Sequence, residues 1–281
     1  MLDYKNIPIF IISYNRLHCL KLLIESLEKK GYTNISIIDN QSSYPPLLDF
    51  LKKTKYHVFY MNQNYGHKVF WKNARFRKIV ETQYYVLTDP DIVPLQQCPD
   101  DFMEQFYEIL QQNPSVPKVG FSLKIDDLPE HYAFKEYVIK WEKQFYEKGS
   151  NYKNYKIYNA DIDTTFALYR PNKLSFIADD CNFYKAIRTG YPYQARHLAW
   201  YMDSKNPSDE DIFYKERTLN GSSTWYDLSD EWKTIINSKK QISLRLKCFQ
   251  FVAVKVFINV IPIASYRRKI RKKFYEIFDK R

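Results

Sequence analysis

The chain has 281 residues, of which 45% are hydrophobic and 27% charged, proportions that exclude wholesale disorder and allow one large domain or two small ones. Its 43 Lys and Arg outnumber 32 Asp and Glu, giving a net charge of +11, and the whole excess lies in 239–281 with 13 basic and two acidic residues. The body, 1–238, is neutral with 30 of each sign, which argues against a nucleic-acid-binding face there.

Met1 to Asn6 has no basic region leading into an apolar run and a small-residue cleavage site, so the expectation is a cytoplasmic protein. Cys19, Cys98, Cys181 and Cys248 are scattered without CxxC or Cys/His ligand spacing, which argues against a disulfide framework or zinc finger.

In chain order, Ile7 to Ser13 is a short β-branched apolar run that reads as a strand. From Leu17 to Lys30, Leu20, Leu23, Ile24 and Leu27 recur at helical spacing, and Gly31 supplies the stop. A second strand, Ile35 to Ile38, is followed by a helix that starts on Pro45-Pro46 and runs to Lys53. His57 to Met61 reads as a third strand, Phe70 to Glu81 as a helix and Tyr84 to Thr88 as a fourth strand. A helix from Asp101 to Gln112 and a strand from Val119 to Leu123 complete the series. This alternation predicts an α/β protein with a mostly parallel sheet flanked by helices. Ligands in such sheets bind beyond the carboxyl ends of the strands. The polar clusters Ser13-Tyr14-Asn15-Arg16, Asp39-Asn40, Asn62 to Gly66 and Asp89-Pro90-Asp91 each follow a strand, so all four are expected on one sheet edge.

Asp89-Pro90-Asp91 is the sharpest feature. Two carboxylates two residues apart at a strand exit suit one hard divalent ion, Mg²⁺ or Mn²⁺, whose shell phosphate oxygens often complete. The same triplet also fits a plain turn that ends a strand.

Ile9 to Arg16 (IFIISYNR), Ile37 to Ser43 (IIDNQSS), Asn62 to Gly66 (NQNYG) and Val86 to Pro94 (VLTDPDIVP) resemble the successive motifs of family 2-like, GT-A-fold glycosyltransferases. The resemblance covers about residues 7–125 and extends more loosely to about 225. It implies a metal-dependent hexosyltransferase using Mn²⁺ or Mg²⁺, a UDP-, GDP- or dTDP-sugar donor and a glycan or lipid-linked acceptor. The implied setting is bacterial surface polysaccharide or lipopolysaccharide synthesis. Ser13, Tyr14, Asn15 and Arg16 would then line the nucleotide pocket, and Asp39 would bind the base or ribose. Asn64 and Gly66 would border the nucleotide, with Asp89 near ribose or metal and Asp91 on the metal. Neither GxGxxG nor GxxxxGK[ST] is present, so the dinucleotide and P-loop readings lack their fingerprints. On this view 1–238 is the catalytic domain, with a nucleotide-sugar half in 1–125 and an acceptor half in 126–238.

Asn159 to Tyr169 reads as a strand with Asp161, Asp163 and Thr165 on one face. Further on, Arg196 is a candidate for offsetting phosphate charge or for pairing with a surface acid. His197 would be the third metal ligand, as a late His is in many GT-A enzymes, or else a structural histidine. An inverting transferase needs a base for the acceptor hydroxyl. The family 2 Glu-Asp pair is not recognisable here, so the base and the stereochemistry stay open. Asp163, Asp203 and the Asp126-Asp127 pair are the candidates, with Asp163 first. Asp209-Glu210-Asp211 reads as the acidic first turn of a helix. The aromatics from Tyr132 to Tyr146 suit core packing of a helix more than sugar stacking, and Trp200 and Trp225 are equally ambiguous.

Cys248 to Tyr266 is apolar but interrupted by Lys255, and a run of Arg and Lys from Arg267 to Lys273 follows. The expectation is an amphipathic segment held on the anionic cytoplasmic face of the inner membrane, each basic residue contributing about 1 kcal/mol. The alternatives are a packed helix with a solvated basic end, a sugar nucleotidyltransferase for the enzyme, and a non-catalytic nucleotide-sugar or membrane-surface binder for the whole chain.

Overall fold

The computed structural model describes residues 2–172, 184–218, 225–226, 228 and 230–237. The basic segment 239–281 and its membrane role lie outside the described residues. Among the described residues no helix is long and apolar enough to cross a membrane.

The strands are β1 (Ile9–Ser13), β2 (Ile35–Asp39), β3 (His57–Tyr60), β4 (Tyr85–Thr88), β5 (Ile92–Pro94), β6 (Lys118–Leu123), β7 (Gly149–Tyr152), β8 (Tyr155–Asn159), β9 (Ala167–Tyr169) and β10 (Ala186–His197). The helices are α1 (Leu17–Lys29), α2 (Pro45–Lys53), α3 (Val69–Lys72), α4 (Arg77–Thr82), α5 (Phe102–Gln112), α6 (Lys135–Lys143), α7 (Asp209–Arg217) and α8 (Asp230–Asn237). One sheet runs β3-β2-β1-β4-β9-β6-β10-β8-β7, and β5 pairs with β10. The pairs β3/β2, β2/β1, β1/β4 and β6/β10 are parallel. β9 runs against both of its neighbours, so β4 and β6 on either side of it share one direction. The result is the expected α/β architecture, a mainly parallel central sheet flanked by helices.

Alternation in β1 divides the core. Ile9 and Ile11 face Leu20, Leu23 and Leu27 of α1, Leu47 and Leu51 of α2, and Phe102 and Phe106 of α5. Phe10 and Ile12 face Phe70, Phe76 and Val80 on the opposite side. The chain passes from β1 to β2 on one side and later returns to β4 on the other, so the crevice between the carboxyl ends of β1 and β4 is a topological switch point.

Two expectations change. The helix over 70–81 is broken into α3, a 3₁₀ turn and α4, and Asn73 begins the turn by accepting from the Arg75 N–H at 3.0 Å. That break lets Phe70 and Phe76 stack at 4.6 Å on the sheet. The strand expected over 159–169 exists only as β9; 160–166 is irregular because the chain must cross from β8 to a slot between β4 and β6. Gly120 of β6 permits that crossing, since a Cβ there would lie 2.3 Å from the Phe166 carbonyl oxygen. The longest strand, β10, is hidden in the sequence because Gly190-Tyr191-Pro192 reads as a turn. The sheet absorbs it as an irregularity, its register shifting between Thr189 and Gln194.

Candidate active site

The four polar loops meet at the carboxyl edge of the sheet, and backbone groups bind them together. Asn15, left-handed at φ 52°, accepts at its side-chain oxygen from the Ser43 and Tyr44 N–H groups at 2.7 and 2.9 Å. Its own N–H donates to the Ser42 hydroxyl at 3.0 Å. Asn40 donates to Asn64 Oδ1 at 2.8 Å and to the Gly66 carbonyl at 3.1 Å, and accepts from the Tyr65 N–H at 2.9 Å. Asn64 closes the turn by accepting from the Gly66 N–H at 2.8 Å, where φ of +71° suits glycine. Asp39, 4% exposed, accepts from the Ser42 N–H at 3.1 Å, and burial raises its pKa against the hydrogen bonds from Ser42.

A cavity of about 520 Å³ opens at this edge, and the sequence candidates Tyr14, Arg16, Asn64, Gly66, Asp89, Asp91, Asp163 and His197 line it. Ser13, Asn15 and Asp39 support its wall from behind rather than lining it. Two candidates stand elsewhere. Arg196 does not line the cavity and is bound to Asp127, whose other oxygen accepts from Tyr201, so the structure pairs it with a surface acid. Asp203 is an exposed turn residue that accepts from the Lys205 and Asn206 N–H groups at 2.9 and 3.2 Å. Of the Asp126-Asp127 pair, Asp126 is held by Lys124, and neither residue lines the cavity.

The two carboxylates of Asp89-Pro90-Asp91 have different partners. Asp91, 4% exposed, accepts from Arg16 Nη1 at 2.6 Å. Burial opposes its charge, but His197 in its protonated form and the Arg16 guanidinium outweigh it and hold Asp91 below the usual carboxylate range. Asp89 accepts from the Thr164 hydroxyl at 2.5 Å, and desolvation together with the Asp91 charge pushes it well above that range. Arg16 is itself enclosed: it donates to Cys19 Sγ at 3.1 Å and to the Tyr226 hydroxyl, and its guanidinium lies 4.7 Å from the Tyr226 ring and 5.3 Å from the Tyr214 ring. From the same side Glu210 accepts from the Leu17 and His18 N–H groups at 2.8 and 3.0 Å, so the acidic first turn of α7 also caps α1.

Five buried side-chain atoms among the described residues have no hydrogen-bond partner: Ser13 Oγ, Asn15 Nδ2, Asp163 Oδ1, His197 Nδ1 and Trp200 Nε1. Asp163, His197 and Trp200 line the cavity, whereas Ser13 and Asn15 lie behind its wall.

His197 bears on metal binding. Its Nδ1 lies 3.7 Å from Asp91 Oδ2, its ring is stacked on Trp200 at 4.7 Å, and burial pushes its pKa down against the pull of Asp91. A neutral imidazole with an unpartnered nitrogen beside a carboxylate is the donor chemistry that Mn²⁺ accepts. Among the described residues no three His, Cys, Asp or Glu side chains form a complete ligand group, so the donor set fits a divalent ion only as a partial shell.

The sequence reasoning overlooked Thr164, His67, Glu142 and Arg188. His67 Nε2 lies 4.0 Å from Asp163 Oδ1. Thr164 was visible as a member of the Asp161 to Thr165 cluster, whereas the Glu142–Arg188 pair joins residues far apart in the chain and left no local signal.

No family model matches the chain, and no curated protein sequence matches it. Among solved structures, it is similar to a mannosyltransferase from Pyrobaculum calidifontis in complex with GDP-Man and Mn²⁺, at 10% identity and TM-score 0.41 over 98% of this chain and 85% of that one. It is also similar to S. aureus TarS 1-349, at 10% identity and TM-score 0.40 over 86% and 69%. A third likeness, at 9% identity and TM-score 0.29 over 89% and 84%, is to 4-diphosphocytidyl-2C-methyl-D-erythritol synthase from Anaerococcus prevotii. Likenesses this weak assign no function, so the site's own side chains must carry the reading.

Proposed function

We propose that the chain is a GT-A-type glycosyltransferase that moves a hexosyl group from a nucleotide-diphospho-sugar to a glycan or lipid-linked acceptor. The observation that carries this reading is the cavity at the switch point, into whose lining Asp89, Asp91, Asp163 and His197 are brought together. The nucleotide lies between Tyr14, Asn40 and the Asn64–Gly66 turn, whose orientation the Asn40 side chain fixes. Asp91 and His197 would hold Mn²⁺ or Mg²⁺ as part of a shell that phosphate oxygens complete, and such an ion offsets the charge of a departing diphosphate.

Asp163 is the base. Its half-exposed side chain lines the same cavity, so its carboxylate is placed to take the proton of an acceptor hydroxyl. Asp203 suits that role less, since it lies outside the cavity lining and accepts from the N–H groups of an exposed turn. Arg16 keeps Asp91 ionised and oriented, and the Thr164 hydroxyl fixes the position of Asp89.

The setting we propose is surface polysaccharide or lipopolysaccharide synthesis at the cytoplasmic face of the inner membrane. It rests on the resemblance and on the 13 basic residues of 239–281. Cosedimentation with anionic liposomes tests the tail: the full chain pellets and a 1–238 chain stays in the supernatant, whereas equal pelleting rejects the tail's role.

The enzymatic reading is tested by thermal unfolding with UDP-, GDP- and dTDP-sugars, with and without Mn²⁺ or Mg²⁺. One nucleotide class raises the melting temperature in an ion-dependent way, because a ligand bound only by the native state stabilises it. No shift with any donor would reject the reading.

A further inference from the structure

The oxygen that a divalent ion between Asp91 and His197 would take already has a positive partner. Arg16 Nη1 donates to Asp91 Oδ2 at 2.6 Å, and His197 Nδ1 lies 3.7 Å from that same oxygen. Guanidinium and imidazole thus converge on one atom at the end of β4. The side chains of Arg16 and Asp91 are only 7% and 6% exposed, so solvent and salt screen the pair little.

The fold itself sets the position of Arg16. Its Nη2 donates to Cys19 Sγ, on the first turn of α1, and to the Tyr226 hydroxyl, more than half the chain away. Its guanidinium also lies over the Tyr226 ring. An arginine held on several sides does not drift off its carboxylate as a surface side chain would.

Charge decides what this means for an ion. Arg16 and Asp91 balance one another, and the neutral Thr164 hydroxyl is what Asp89 accepts from. A bare divalent ion at Asp91 would therefore stand close to a buried guanidinium, where like charges repel far more strongly than in water. The Arg16 charge already disfavours a positive charge on His197, the other half of the ion's protein shell.

We propose that Arg16 and the divalent ion compete for Asp91 Oδ2, so that the arginine denies the carboxylate to a bare ion and yields it when a ligand's negative charge arrives with the ion. The inference rests on the glycosyltransferase reading and deepens it. Arg16 becomes a positioning residue that sets the order of binding, in which the ion enters together with the diphosphate.

Mn²⁺ alone is the probe, titrated into the full chain and followed by the electron paramagnetic resonance signal of the free aqueous ion. The wild type binds it weakly. Arg16→Met removes the competitor and tightens binding by at least about tenfold, because the ion no longer has to break a buried ion pair. Arg16→Lys, which keeps the positive charge, stays nearer the wild type. Arg16→Gln, which keeps a donor without the charge, moves toward Arg16→Met and carries the comparison if the methionine variant does not fold. The double variant Arg16→Met/Asp91→Asn loses the gain, which locates the ion at Asp91. Thermal unfolding gives a second readout, with Mn²⁺ raising the melting temperature of the Arg16 variant more than that of the wild type. Equal Mn²⁺ affinity in the wild type and a folded Arg16→Met or Arg16→Gln protein, whether tight or undetectable, overturns the competition. The transferase reading fails separately, when no nucleotide-sugar stabilises the wild type.

Discussion

Lys118 opens β6, and none of its surface reaches solvent. Its ammonium donates to the Asp163 carbonyl at 3.0 Å and to the Tyr169 hydroxyl at 3.2 Å, which ties the proposed base to the sheet. Burial drives its pKa from 10.5 down to about 7, although Asp163 and Asp161 pull the other way. Above pH 10.5 the amine is neutral in both the folded and unfolded chain. As pH falls toward 7, the unfolded chain takes up a proton that the native state refuses, so stability falls; below that both states hold it and the loss levels off. Lys118→Met removes the titration while keeping most of the side-chain volume. Between about pH 7 and about pH 9.5, the wild type is expected to gain about 3 kcal/mol of unfolding free energy relative to the variant. Urea unfolding at a series of pH values, followed by tryptophan fluorescence, reads that difference. Profiles that stay parallel would show that the buried amine keeps its proton and would refute the argument.

Other substitutions test other parts of the account. Asp91→Asn leaves the Arg16 guanidinium buried without its carboxylate, and denaturant unfolding is expected to show a loss of about 3–5 kcal/mol. The double variant Arg16→Met/Asp91→Asn recovers part of that loss, and strict additivity would contradict the pairing. Gly120→Ala places a methyl 2.3 Å from the Phe166 carbonyl oxygen, which is backbone and cannot swing aside. The expected cost is about 3 kcal/mol, read as a lower melting temperature, and an unchanged one would contradict the close approach of β6 and β9.

Much of the sheet was legible because its strands are short apolar runs closed by polar clusters, and α1 carries an unbroken helical pattern from Leu20 to Leu27. The parallel order also followed from the alternation of strand and helix. What escaped detection depended on non-local partners. Strand β10 is interrupted by Gly190 and Pro192, so only its neighbours β6, β8 and β5 define it as a strand. The alternation of Asn159 to Tyr169 promised one acidic face, but the crossing to β9 bends that segment, leaving Asp161 buried and Asp163 half-exposed.

The site shows the same division. The motifs at the ends of β1 to β4 announced themselves locally, and Tyr14, Arg16, Asn64, Asp89 and Asp91 do share one cavity. Arg196 and Asp203 were chosen for chemical type within a polar stretch. Their fate was decided by Asp127 and by the turn at Lys205-Asn206, which no spacing rule reveals. Likewise Glu142 looked like one charge on an aromatic helix until the fold set Arg188 against it.

The most direct test is crystallographic. Crystals soaked with Mn²⁺ and the donor selected by thermal unfolding should show an anomalous manganese peak between Asp91 and His197, with the diphosphate against it and the base near Tyr14 and Asn64. A donor ordered elsewhere on the molecule, with no manganese peak at the end of β4, would contradict the account.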